Sequence, residues 1–248
     1  MNYDLLPQVI RIDDKALKIR SLDDSQARNE LAHAATLRAM NHEHLTAIFD
    51  VCLHDNKVHT WMTWNGVDLF DYAMKNESIY SGALFHAVYT DIRAALQYMH
   101  VSLNCCHGDV KLENIMCPGS TYLNTKYKLC DFGSIVPQTS PLIPNNKVVG
   151  TDHYRAPELF YDKLVDYRKA DLWSFGVALF CLHFRRFLNP VAIVKSNYLW
   201  AVASNEKLHF DLTFSKHDHR TQVPSLGRYK TKVLASLLMY LPGDRYFS

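Results

Sequence analysis

The sequence predicts an α+β, bilobal chain: one domain over residues 1–248, with a small β-rich part over 1–64 and a mainly helical part over 65–248. Three observations carry that expectation. Short runs alternating apolar and polar residues, the period of a half-buried strand, cluster before position 64. From Ala83 to His100 the apolar residues Leu84, Val88, Ile92, Leu96 and Met99 repeat at helical spacing. Finally, 248 residues at 48% hydrophobic content suffice for one sizeable core, in one domain or one domain of two lobes.

Val9-Ile10-Arg11-Ile12 and Ala16-Leu17-Lys18-Ile19 alternate across Asp13-Asp14-Lys15, which reads as a β-hairpin. Ser25 to Met40 is rich in Ala, Leu and Arg, offers Leu31, Ala34, Ala35 and Leu37 as an apolar stripe, and starts at a possible cap, Asp24 or Ser25. That pattern predicts a single helix. Ile48 to Val51 and Val58 to Trp64 read as two further strands around the polar turn His54 to Lys57. No repeat or low-complexity tract follows, and residues 191–232 read as helical to irregular, with His209, His217 and His219 as surface residues.

Composition narrows the partners. With 27 Lys+Arg against 25 Asp+Glu, no charge excess argues for nucleic acid or an anionic membrane. The most apolar run, Trp173 to His183, is shorter than the roughly 18 residues of a spanning helix. The N-terminus lacks the basic-then-apolar layout of a signal peptide, so the expected location is intracellular, cytoplasmic or nuclear. Six cysteines show no C-x-x-C spacing and read as reduced thiols. A metal cluster of Cys105, Cys106, His107 and Cys130 is disfavoured because adjacent ligands fit poorly around one tetrahedral ion. Nothing in the sequence specifies an oligomeric state.

The chemistry concentrates in His107-Gly108-Asp109-Val110-Lys111-Leu112-Glu113-Asn114, directly after the predicted helix. Asp109 can accept the proton of an attacking hydroxyl, Lys111 can neutralise charge on a transferred phosphoryl, and Asn114 can offer a carbonyl oxygen to Mg²⁺. The octapeptide resembles the catalytic loop H-R-D-x-x-x-x-N of protein kinases, with Gly108 in place of Arg. H-G-D also occurs in kinases of small alcohols such as aminoglycosides and choline, which leaves a small-alcohol phosphotransferase as an alternative on this stretch alone.

Further matches follow in order. Tyr127-Lys128-Leu129-Cys130-Asp131-Phe132-Gly133 is similar to a strand ending in D-F-G, and Gly150 to Glu158 to the G-T-x-x-Y-x-A-P-E segment of serine/threonine protein kinases. Small-molecule kinases have no such segment, since it forms the shelf for a protein substrate. Thr151 and Lys111 resemble the Ser/Thr-directed rather than the Tyr-directed pattern. Asp171 to Val177 resembles D-x-W-S-x-G-V, whose Asp ties down the catalytic-loop backbone, and Arg245 is expected to pair with Glu158. The resemblance runs from Ala16 to Arg245 and implies a protein-kinase-like bilobal fold.

It also implies a ligand set: ATP and Mg²⁺, with a protein substrate carrying a Ser/Thr acceptor. Asp109, Lys111 and Asn114 would be catalytic, and Asn114 and Asp131 would hold the metal. Lys18 would hold the α/β-phosphates and Ala16 pack on the adenine. Met62 would be the gatekeeper, backbone at Thr63 and Asn65 would bond the adenine, Asp68 would face the ribose, and Met116 would lie under the base. The segment 134–149, polar and proline-containing, resembles a mobile activation loop.

The departures are equally specific. The first glycine is Gly66, so the glycine-rich phosphate loop and its strand are expected to be missing or replaced. Alignment puts His33 where the Lys-pairing Glu of the αC helix belongs, and Glu30, one turn earlier, is the residue that could substitute. Residues 184–188 do not fit G-x-x-P-F, and Ser248 falls where a final helix normally continues. The expectation is therefore a weak or divergent serine/threonine protein kinase. The alternative is a pseudokinase acting as a protein-binding module.

Overall fold

The computed structural model describes residues 8–75, 82–117, 126–145, 149–160, 162–185, 227–239 and 242–247. The expectations for residues 186–188, 191–226 and 248, including His209, His217 and His219, lie outside them.

The N-terminal sheet is built from two tight hairpins. β1 (Gln8–Ile12) and β2 (Lys15–Ser21) pair with Ile12 opposite Lys15, so the turn is the dipeptide Asp13-Asp14 and Lys15 already belongs to β2. Asp13 takes φ 56°, a left-handed conformation that Asp tolerates better than most side chains. β3 (Ile48–His54) and β4 (Lys57–Thr63) are joined by Asp55-Asn56, with φ of 47° and 59°. Two consecutive left-handed residues match the right-handed twist of the flanking strands. The sheet runs β1-β2-β4-β3, antiparallel throughout. Along β2, residues Ala16, Lys18 and Arg20 share one face by the two-residue period of a strand, and all three are buried.

Against this sheet lie two helices where the sequence predicts one: α1 (Ser25–Ala32) and α2 (Ala34–Ala39), broken at His33, whose φ −108° and ψ 16° leave the helical region. Asp24 caps α1, its carboxylate accepting the Gln26 N–H at 2.7 Å. The expected stripe is also shifted. Ala27, Glu30, Leu37 and Met40 are buried, while Leu31 and Ala34 are partly covered and Ala35 is exposed. The reason is that α1 turns a carboxylate, rather than an apolar row, toward the sheet.

Two peptide hydrogen bonds join this part to the rest: Thr46 N–H to Leu129 O at 2.9 Å and Leu129 N–H to His44 O at 2.9 Å. The second part is a helical frame carrying short β-pairs. β5 (Val67–Asp68), β7 (Ile115–Cys117) and β8 (Lys128–Leu129) make one small sheet. β6 (Cys105–Cys106) pairs β9 (Val136–Pro137), and β10 (Ile143–Pro144) pairs β11 (Leu164–Val165). The helices are α3 (Leu69–Lys75), α4 (Gly82–Gln97), α5 (Tyr167–Phe184) and α6 (Gly227–Leu237).

All five stripe residues of α4 and its π-helical continuation are buried, and Tyr89 stacks on Phe175 of α5 at 6.1 Å. In α5 the residues from Ala170 to His183 are all buried, which explains their apolar run without a membrane. Among the described residues no helix is long and apolar enough to cross one. Gly176 lets α6 approach closely: a Cβ there would lie 2.8 Å from Leu238 and 2.9 Å from Leu237. Arg245 and Glu158 form the expected pair, with Nη2 to Oε2 at 2.9 Å, and the guanidinium stacks 4.9 Å from the Trp173 ring centroid. Both ends are buried, so removing one partner would cost about 3–5 kcal/mol.

At the start of the stretch expected to be a mobile loop, Ser134, Ile135, Val136 and Gln138 are buried, whereas residues 139–142 are exposed. Gln138 is 2% exposed; its N–H bonds Asn104 O at 2.8 Å and its Oε1 accepts the Tyr167 N–H at 3.1 Å. Its Nε2 donates to Ser140 O at 2.8 Å. A buried amide that meets three backbone groups, together with the β6/β9 and β10/β11 pairs, gives this stretch the hydrogen bonds that its composition does not advertise.

Candidate active site

The loop 107–114 is held from beneath by Asp171, at 2% exposure on α5. Its Oδ2 accepts the His107 N–H and its Oδ1 the Gly108 N–H, at 2.8 and 2.9 Å, and His100 Nε2 lies 2.8 Å from Oδ2. His107 in turn reaches Cys130 O at 2.9 Å and sets its ring edge-on to Phe132, centroids 5.6 Å apart. One carboxylate thus fixes the loop, and the loop histidine fixes the segment that carries Asp131. Gly108 takes φ 79°, and a Cβ there would stand 2.2 Å from Ser134 O.

On this base the predicted residues gather. Thr151 Oγ1 donates to Asp109 Oδ1 at 2.8 Å, Lys111 Nζ donates to Thr151 Oγ1 at 2.9 Å, and Lys111 Nζ lies 2.9 Å from Asp109 Oδ2. Asn114 donates its amide to Asp109 O at 2.8 Å, which points the amide nitrogen into the loop and leaves Oδ1 for the cleft. Glu113 accepts from Tyr154 at 3.0 Å and so ties the loop to the shelf segment.

The roof is a charge cluster. Lys18 forms an ion pair with Glu30, whose Oε2 also accepts from Thr60 Oγ1 at 2.8 Å. Glu30 therefore occupies the role that alignment left open, and the helix break at His33 separates that histidine from the buried face. Lys18 also lies 3.1 Å from Asp131 Oδ1. Burial lowers the Lys18 pKa, but the charges of Asp131 and Glu30 outweigh it and hold the ammonium above its ordinary range. Asp131 shows the converse: burial raises it, yet Lys18 and Arg20 prevail and hold the carboxyl well below the usual range. Its backbone sits at φ 61° and ψ 82°, an uncommon conformation for a non-glycine residue.

Between floor and roof lies a cleft that opens to solvent and, with that open space counted, spans about 630 Å³. Ala16, Lys18, Met62, Thr63, Asn65, Asn114, Met116 and Asp131 all line it. Of the predicted site residues, Asp109 and Lys111 stand at the floor beside it. Asp68 stands apart: it does not line the cleft, and its Oδ1 accepts the Asp71 N–H at 2.8 Å, capping α3. Asn65 contributes more than backbone, its amide bonding Thr46 Oγ1 at 2.9 Å and Thr63 O at 3.2 Å.

These ordered contacts invite comparison with known proteins. A family model described as protein kinase domain matches residues 13–246. The chain belongs to the protein kinase domain family. Among curated proteins this kinase domain is 32% identical over 175 residues to serine/threonine-protein kinase SRK2J of Arabidopsis thaliana, covering 70% of this chain and 48% of the relative. It is 27% identical over 165 residues to serine/threonine-protein kinase oca2 of Schizosaccharomyces pombe, covering 65% of this chain and 24% of the relative. A third, serine/threonine-protein kinase PRR2 of Saccharomyces cerevisiae, is 25% identical over 177 residues, covering 70% and 24%. The chain thus spans between about a quarter and about a half of the length of these relatives.

Sequence reasoning missed Arg20, Gln26 and Asn29. Arg20, two residues beyond Lys18 on the same strand face, lies 3.3 Å from Asp131 Oδ2 and also bonds Gln26 Oε1. The two-residue period was its signal. Asn29 Nδ2 donates to Gly133 O and Ile135 O at 3.1 and 2.8 Å, binding α1 to the segment after Asp131. No disulfide joins the six cysteines, and burial pushes the thiols of Cys105 and Cys130 up to about 12. His100, Cys106 and Asp171 approach one another, but both Asp171 oxygens already accept N–H groups.

Proposed function

We propose that this kinase domain transfers the γ-phosphoryl group of ATP to Ser or Thr hydroxyls of a protein substrate, with Mg²⁺ as the metal. The observation that carries the reading is the cluster of Asp109, Lys111 and Thr151 at hydrogen-bond distance beneath a cleft lined by Lys18, Asn114 and Asp131. The donor set fits the ligands. Asn114 Oδ1 and the Asp131 carboxylate are hard oxygen donors suited to Mg²⁺, and Lys18 is a cation for phosphate oxygens. Ala16, Met62 and Met116 offer apolar surface for an adenine, and the peptide groups of Thr63 and Asn65 offer its polar edge. When bound, Mg²⁺ would neutralise charge on the transferred group.

In this reading Asp109 orients and accepts the proton of the substrate hydroxyl, and Thr151 and Lys111 hold its carboxylate in place. Lys111 turns its ammonium toward the phosphoryl as charge develops. Lys18, positioned by Glu30, fixes the α/β-phosphates. The Ser/Thr assignment leans on Thr151 and Lys111, and on relatives named serine/threonine-protein kinases. The test is transfer of labelled γ-phosphate from ATP to a generic basic protein, run beside Asp109→Asn. Label on Ser and Thr well above that control is expected. Label equal to the control would replace this reading with that of a binding module.

A further inference from the structure

Arg20 is a buried cation in the roof that the reaction as described does not need. It is 7% exposed, and its partners come from the segment carrying Asp131 and from the start of α1. Nη2 lies 3.3 Å from Asp131 Oδ2, and Nη1 bonds Gln26 Oε1 at the start of α1 and lies 3.4 Å from the capping residue Asp24. Its Nε, also buried, has no partner. Asp131 is correspondingly saturated: Oδ1 faces Lys18 at 3.1 Å and accepts the Gly133 N–H at 3.3 Å, while Oδ2 faces Arg20. Each oxygen that a metal would take already faces a positive charge.

We propose that Arg20 is a positioning residue that competes with Mg²⁺ for the carboxylate of Asp131, raising the metal concentration the nucleotide site requires. The inference rests on the nucleotide-binding reading above. A guanidinium cannot shed its charge by deprotonation, so it yields only by moving away or by enduring repulsion. Moving away is resisted by Gln26 and Asp24, which hold the other end of the fork. With Mg²⁺ at about 2.0–2.1 Å from Oδ2, the guanidinium 3.3 Å from the same oxygen faces a second positive charge across it, and the two repel. Asn114 remains free to take its part of the metal, which makes Asp131 the point of contest.

The test uses the full chain and the thermal shift produced by saturating ATP, measured across a Mg²⁺ titration. The readout is the Mg²⁺ concentration giving half of the metal-dependent shift, which a purely structural role for Arg20 would leave unchanged. Arg20→Gln, which keeps hydrogen-bonding capacity and drops the charge, is expected to lower that concentration by about tenfold or more, since one charge at contact distance in a partly buried site is worth at least a decade. Arg20→Lys, which keeps the charge, is expected to stay within about twofold of the parent. Arg20→Leu serves as the neutral variant should Arg20→Gln fail to fold. Equal midpoints for the parent and the neutral variant, or equal displacement by Gln and Lys, overturn the proposal and leave the nucleotide reading standing. No ATP-dependent shift at any Mg²⁺ concentration overturns both.

Discussion

The floor of the cleft and its roof hold comparable charge by different means. On the floor, Asp109, Lys111 and Asn114 lie within six residues of one another, and the peptide groups beneath them are pinned by a single buried carboxylate, Asp171. Spacing along the chain sets the geometry there. In the roof, Lys18, Arg20, Glu30 and Asp131 come from β2, α1 and the segment after β8, and only Lys18 and Arg20, on one strand face, are set by spacing along the chain. The floor is a loop braced by backbone hydrogen bonds, whereas the roof is a network of side chains that balance one another.

Removing a floor group should therefore slow chemistry without dissolving the fold. Asp109→Asn is expected to lower the rate of phosphoryl transfer by roughly 10²- to 10⁴-fold, the usual weight of a positioned base, while leaving the ATP-induced thermal shift in place. In the roof, Glu30→Gln is expected to reduce kcat/KM by about 10- to 100-fold, because Lys18 loses its anchor and a small misplacement of a positioned group is costly. His33→Ala, at the position alignment would favour, should change kcat/KM by less than about twofold, since His33 lies at the break between α1 and α2. Steady-state kinetics on the pair decide whether Glu30 or His33 serves Lys18; equal losses would remove Glu30 from that role.

The same contrast explains what the sequence made legible. The floor was readable because its residues sit at fixed offsets, and Glu158 and Arg245, 87 residues apart, because the resemblance supplied both ends of the pair. The fold class followed from two periodicities that survive in β2 and α4. The break at His33 was not readable, since no Gly or Pro interrupts 25–40 and only the burial of Glu30 explains which face turns inward. Arg20 lay on the strand face marked by Ala16 and Lys18, but its partner is 111 residues away and nothing local names it. Gln138, which fixes the segment after Gly133, reads in sequence as one more polar loop residue.

Acid titration sharpens the comparison further, because the roof depends on Asp131 being ionised. Its folded pKa lies below its ordinary 3.8, so the stability it contributes is fully present above that value and lost as pH falls through the folded one. Lys18, raised above 10.5, contributes stability that is full below that value and lost only in strong alkali. Between about pH 6 and about pH 8 both contributions are flat. Urea unfolding should thus give a constant stability difference between the parent and Asp131→Asn across that range, narrowing below about pH 4. A difference that grew on acidification would mean that Asp131 is not held by cations.

The smallest expected effect concerns the segment after Asp131. Phosphorylated loops are ordered by clusters of basic side chains that clasp the new anion. Here position 108 is glycine, and the polar hollow between α1 and this segment is lined by Asp24, Ser25, Gln26, Asn29, Gly133, Ser134, Val149 and Gly150, none of them basic. The work of such a clasp is done by neutral groups: Asn29 on the carbonyls of Gly133 and Ile135, and Gln138 on Asn104, Ser140 and Tyr167. Thr139→Ala, Ser140→Ala and their combination should accordingly leave kcat/KM within about twofold of the parent, as expected for surface changes that remove no buried partner. Phosphatase treatment should do the same. A large loss in either assay would show that an added phosphate, and not the amides of Asn29 and Gln138, sets this segment in place.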